Sequence, residues 1–171
     1  MNTTTLPKTI YADQSRIVLL VAASFIILAG AWGLEILGPY PPCDLCLKQR
    51  WAYYFTIAAG LIALGVYRSS YKKLAMIILG LIALAFLANT VLGIYHAGIE
   101  WKFWSGPAAC SGNADLGADS KSILEQLNSK PFVSCSEAQL RIFWLSLAGY
   151  SAIFSAILSG LAAWTASTLK S

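Results

Sequence analysis

Four stretches of this sequence contain no Asp, Glu, Lys or Arg: Ile17–Leu34, Trp51–Tyr67, Leu74–Tyr95 and Ile142–Leu169, of 18, 17, 22 and 28 residues. An α-helix needs about 20 mainly apolar residues to cross a hydrocarbon core ~30 Å thick. Such a segment must satisfy its backbone polar groups internally, which a helix does. The pattern predicts an all-α polytopic membrane protein, a four-helix transmembrane bundle with spans at about 17–36, 48–67, 74–95 and 142–166 in one membrane domain. The second run is short alone, and Leu47–Arg50 extend it into the headgroup region. The first exceeds a signal-peptide core of roughly 7–15 residues and leads into Glu35 and Pro41-Pro42-Cys43, so it reads as a retained anchor. Composition agrees. Hydrophobic residues make up 57% of the 171 and charged residues 12%, about half the globular share of roughly 25%.

With four crossings, the loops at about 37–47 and 96–141 share one side, and both tails and the 68–73 loop share the other. Lys and Arg split evenly between the sides, so density decides. Arg68-Ser69-Ser70-Tyr71-Lys72-Lys73 packs three cations into six residues without an acid. That loop and the termini are expected to be cytoplasmic and the larger loops periplasmic. The net charge of +4 is dispersed over helix ends, with no basic stripe interleaved with aromatics, so nucleic acid is not the expected partner. Tyr40, Trp51, Tyr67, Tyr95, Trp104 and Trp144 lie near span ends, where amphipathic rings meet lipid headgroups. Trp101, Phe103 and Trp104 read as anchors of the long loop. Within that loop Asp119-Ser120 caps a predicted short amphipathic helix with Ile123, Leu124 and Leu127 on one face, ended by Lys130-Pro131 and resting on the membrane surface.

All four cysteines, Cys43, Cys46, Cys110 and Cys135, fall in the two loops that face the same compartment. A CxxC at the start of a helix meets free backbone N–H groups and the positive end of the macrodipole, which stabilise a thiolate. Arg50, one turn after Cys46, can share its face, so Cys46 is the expected low-pKa cysteine, with Asp44 opposing slightly. Three other readings stand beside a redox role: half of a zinc site, a static brace between Cys110 and Cys135, or plain packing. Zinc favours four close Cys or His ligands, and no second CxxC is present. His96, the single histidine, sits where span three meets the outer loop. It is open to two readings, a contact for a bound headgroup or a hydrogen-bonded interfacial residue. Gln49 and Glu35 are similarly open.

The layout resembles the DsbB family of membrane disulfide-generating proteins over nearly the whole chain. The matching pieces are Pro42-Cys43-Asp44-Leu45-Cys46 with Gln49-Arg50, then Tyr95-His96, then Trp104-Ser105-Gly106-Pro107-Ala108-Ala109-Cys110, and Cys135-Ser136-Glu137 leading into span four. The resemblance implies a quinone-coupled disulfide oxidase of the bacterial inner membrane, using ubiquinone or menaquinone. It makes Cys110 the target of a reduced DsbA-like periplasmic thioredoxin-fold partner. Cys135 would pass electrons to Cys43 by exchange, and Cys46 would meet the quinone with Arg50, His96 and Gln49 around the headgroup. A paralogue with one dedicated client would share these residues. The rival class is a non-catalytic or metal-binding scaffold whose cysteines only brace its loops.

Overall fold

In the computed structural model, residues 8–38, 40–107, 110, 134–138 and 140–169 are described. The short amphipathic helix expected in the long loop lies outside them. The charge-free runs become α1 (Lys8–Leu37), α2 (Asp44–Arg68), α3 (Lys72–Glu100) and α4 (Leu147–Leu169), with β1 (Arg141–Ile142) and β2 (Leu145–Ser146) paired antiparallel before α4. Three segments, Tyr11–Leu37, Lys72–Glu100 and Leu147–Leu169, are long and apolar enough to cross a membrane. α2 opens with Lys48 and Arg50 followed by Trp51, Tyr53 and Tyr54, which dilute its hydrophobicity.

Three boundaries differ from the sequence expectation by five residues or more, the first being the start of α1, at Lys8 rather than at about residue 17. α3 continues past Tyr95 to Glu100, so His96 and Glu100 belong to a helix rather than to a loop. The last helix starts at Leu147, because Arg141 pairs with Ser146 and Ile142 with Leu145 across a hairpin. Phe143 and Trp144 form its turn with φ of 48° and 69°, the left-handed geometry that matches hairpin twist and usually selects Gly or Asn. Both rings stand 90% and 89% exposed. Absence of charge does not separate such a hairpin from the first turns of a helix, so the all-α expectation missed it.

α3 packs most extensively on α4, α2 lies between α1 and α3, and α1 and α4 touch less than the other neighbouring pairs. The interior is built from Ile17, Leu20, Tyr53, Leu79, Ile82, Phe86 and Leu158 with small residues between them. The outward faces carry Phe25, Ile26, Leu61, Ile62, Leu84, Leu87 and Ile157. Helices apolar all round require an apolar surrounding, which identifies a membrane protein. Buried polar groups are paired across helices: Asn89 Nδ2 donates to Ser155 Oγ at 2.8 Å, Tyr53 OH lies 3.2 Å from that oxygen, and Ser159 Oγ donates to Ala83 O. At the end away from the cysteines, Asp13 accepts from Arg16 and Thr168, and the Arg16 guanidinium covers Trp164 at 4.3 Å. These contacts tie α1 to α4.

Small residues set the closest helix approach. A Cβ on Gly93 would lie 3.0 Å from the Ala152 backbone nitrogen and Cα. Gly93→Leu is expected to push α3 from α4 and destabilise the bundle by about 1–3 kcal/mol, read as a lower thermal midpoint in detergent.

Candidate active site

The site begins with the way α2 starts. Pro41 and Pro42 hold the approach extended, and Cys43 is the N-cap, with φ −77° and ψ 169°. Its Sγ accepts from the Cys46 backbone N–H at 3.2 Å, filling a capping place that serine or aspartate usually takes. Cys46 follows on the first turn, and the two sulfurs, both free, are 2.6 Å apart. Asp44 pairs with Lys48 at 2.7 Å, which blunts its effect on the cysteines.

Cys110 and Cys135 are joined in a disulfide. Pro107 O accepts from Cys110 N at 2.8 Å, and Cys110 O accepts from Cys135 N and from Ser134 Oγ, both at 3.3 Å. The bridge packs with Cys43, Leu45 and Ile99 in one buried cluster. Each of its cysteines is 1% exposed. The Cys43 sulfur, the Cys135 sulfur and a ring nitrogen of His96 lie within 4.8 Å of one another. Two cysteine pairs far apart in sequence therefore meet at one point.

His96 is fixed by its neighbours. Its Nδ1 lies 2.9 Å from Gln49 Nε2, and its Nε2 lies 3.6 Å from Cys43 Sγ and 3.8 Å from Glu100 Oε1. With the amide nitrogen of Gln49 facing it, Nδ1 accepts, so a neutral ring carries its proton on Nε2, toward Cys43. Arg50 turns away toward α1, donating to Glu35 Oε2 at 2.6 Å and to Ala31 O at 3.4 Å, with Trp32 beneath it. Glu35, left open by the sequence, is thus the partner of Arg50.

These contacts reverse the expected order of the cysteines. The Cys43 thiol is lowered to about 5, first by the hydrogen bond from Cys46; burial opposes this, and His96 adds to the lowering by hydrogen bond and charge. Cys46 is pushed up, first because its thiol donates to Cys43, then by burial and by the negative charges of Cys43 and Glu100. Sequence position alone favours Cys46, which follows the helix start and precedes Arg50 by one turn. In the structure the free N–H groups meet the capping sulfur of Cys43, and Arg50 is engaged by Glu35.

Cys43, Cys46, Gln49, Arg50 and His96 line one cavity of about 300 Å³ between α1, α2 and α4, with Ile27, Leu28, Leu34 and Phe154 as apolar walls. Neither Cys110 nor Cys135 lines it. Glu100, which also lines the cavity, was not singled out from sequence. Its spacing of four from His96 on a helix was the available signal, hidden because α3 was expected to end at Tyr95. Trp104 donates to Tyr95 O at 2.9 Å and stacks on that ring, in keeping with an anchoring role.

Residues 13–165 match the family model described as disulfide bond formation protein DsbB. The chain is also similar to an uncharacterized protein of Rickettsia prowazekii (strain Madrid E), 28% identical over 138 residues, which cover 80% of this chain and 77% of that one. No solved structure matches the chain.

The hydrogen bonds at the Cys43 sulfur favour a thiolate there over one at Cys46. In reduced protein, alkylation of Cys43 followed by mass spectrometry is expected to be full above pH ~5 and to fall as the pH drops through that value. Loss of a charge-assisted hydrogen bond of about 1.5–3 kcal/mol in His96→Ala should move that midpoint up by about one to two pH units. An unmoved midpoint would show that His96 does not act on the sulfur.

Proposed function

The chain belongs to the DsbB family, and on that premise we propose that it is a quinone-coupled disulfide oxidase that re-oxidises a DsbA-like periplasmic dithiol protein. Membership brings thiol oxidoreductase chemistry in a membrane. The finer reading is supported above all by the Cys135 sulfur lying beside that of Cys43, with His96 against both.

In this reading the partner's thiolate attacks Cys110, forming a mixed disulfide and releasing the Cys135 thiolate, which attacks Cys43 of a Cys43–Cys46 disulfide. That step forms Cys43–Cys135 and frees Cys46. The partner's second thiolate resolves the mixed disulfide, and Cys110 then reclaims Cys135. The outcome is an oxidised partner, a Cys110–Cys135 bridge and a reduced Cys43–Cys46 pair, which takes up the two protons that the partner's dithiol gives up. His96 holds the thiolate at Cys43 during exchange. Cys110 is buried, so exchange with the partner requires it to become accessible.

The cavity suits a quinone headgroup. It lies at the small end of ligand pockets, roughly 300–1,000 Å³, is apolar on most sides, and gathers Gln49, Arg50 and His96 beside Cys46. Those three residues would hold the ring oxygens. A bound quinone supplies an acceptor for two electrons and two protons. For orientation we take α2 as a fourth crossing, since its 25 residues span roughly 37 Å at 1.5 Å each between α1 and α3. Both termini are then cytoplasmic and the cysteines periplasmic, in the inner membrane, where disulfides persist on the outer side.

A second reading has one observation behind it: Cys43, His96 and Cys135 are close enough to share a metal ion. Cys135 would first have to leave its bridge to Cys110. Stoichiometric, tight zinc on fully reduced protein would favour that reading.

Purified protein with quinone should oxidise a reduced thioredoxin-fold partner, and Cys46→Ser or Cys110→Ser should stop turnover. Quinone reduction at the normal rate by Cys46→Ser would refute the relay. Arg50→Ala is expected to raise the apparent KM for quinone about 10- to 100-fold, as loss of a charged hydrogen bond would, while exchange with the partner changes little.

A further inference from the structure

One buried charged group in the cavity has no task in the relay. Glu100 closes α3 one turn beyond His96, is 7% exposed, and its Oε2 has no hydrogen-bond partner among the described residues. Its Oε1 faces His96 Nε2 at 3.8 Å, an ion-pair distance rather than a hydrogen bond. An ionisable side chain at such depth is costly to keep without a role. A vacant oxygen also lets this carboxyl gain or lose a proton without breaking a hydrogen bond. Among the described residues, the groups around it are Cys43 at the N-cap of α2, Cys46 on its first turn, His96 from α3, and Arg141 and Ser146 from the hairpin. Arg50, held by Glu35 of α1, and Glu137 line the same cavity.

We propose that Glu100 is the proton-carrying residue of this site: it receives, through His96, the proton that leaves Cys43 and keeps it in the cavity while the dithiol is reduced. The inference rests on the thiol-oxidase reading above. Gln49 can face His96 Nδ1 with either end of its amide. With its oxygen there, Nδ1–H donates to it and Nε2 is free to take the Cys43 proton, then hand it across to Glu100. With its nitrogen there, Nε2–H is a donor and supports the Cys43 thiolate. The net step is Cys43 thiol plus Glu100 carboxylate giving Cys43 thiolate plus Glu100 carboxylic acid.

That step moves one negative charge a short way and leaves the charge of the cavity unchanged. No ion has to enter or leave a low-dielectric space, where an unpaired charge is expensive. It also removes the carboxylate whose field opposes a thiolate at Cys46. Oxidation of the pair to a disulfide releases two electrons and two protons, one from each sulfur. The acceptor, a quinone in the reading above, takes up two of each, and Glu100 holds one of those protons beside it.

The test uses infrared difference spectra of the full-length, quinone-free protein, comparing the reduced Cys43–Cys46 pair with the same pair oxidised by a soluble thiol oxidant. A carboxylic C=O band is expected in the reduced state and lost on oxidation. It should shift with ¹³C-glutamate labelling and be missing in Glu100→Gln. With quinone, Glu100→Gln should turn over roughly 10²-fold more slowly, the scale of lost acid–base assistance, with most of the rate restored in Glu100→Asp. A wild-type spectrum without a redox-linked carboxylic band, the same band in Glu100→Gln, or Glu100→Gln turnover within twofold of wild type overturns the proposal. The labelled wild-type spectrum decides even if Glu100→Gln does not fold. Failure of wild-type protein to reduce quinone would refute the oxidase reading, and the spectrum would still report where the proton sits.

Discussion

The Cys43 sulfur accepts the backbone N–H of Cys46 at 3.2 Å, and the arrangement of the reactive end follows from that contact. Capping by a thiol points the positive end of α2 at one sulfur and directs Cys46 back toward it. It also leaves Cys43 facing His96 on α3 and Cys135 in the long loop. An oxygen in the same place would cap the helix equally well and could not exchange disulfides. Here one contact starts the helix and places the sulfur where the Cys46 thiol and His96 lower it.

The bundle holds that contact in register. α2 is pinned from one side by the Arg50–Glu35 pair with α1 and from the other by Gln49–His96 with α3. Both pairs join residues within two turns of Cys43, so movement of either neighbouring helix would displace the sulfur. α1 and α4 touch less than the other neighbours, and the cavity lies beside that seam, lined by Ile27 and Leu34 on one side and Phe154 on the other. The protein thus combines a tightly held cysteine pair with a loosely closed apolar wall.

Much of this was legible in the sequence. Absence of charge marked the four helices, and the position of the cysteines outside those runs placed all four together. The spacing of Cys43 and Cys46 marked a helix start. What spacing could not show was which sulfur takes the capping position, because that depends on a single pair of backbone dihedrals. Nor could it show that Arg50 faces Glu35, since a side chain on a helix has more than one neighbour. Glu100 was hidden for a related reason: a polar residue after an apolar run reads as a loop, whereas α3 continues one turn past His96 to include it. The Phe143–Trp144 turn gave no sign either, because its residue types are those of a membrane helix end.

The central claim is that Cys135 and Cys43 are close enough to exchange a disulfide directly. It is tested most directly in the Cys46→Ser/Cys110→Ser double variant, in which Cys43 and Cys135 are the remaining cysteines, by mild oxidation, proteolysis and mass spectrometry. The account predicts a near-quantitative intramolecular Cys43–Cys135 linkage, formed faster than any link between molecules. Two free thiols, or links only between molecules, would contradict it.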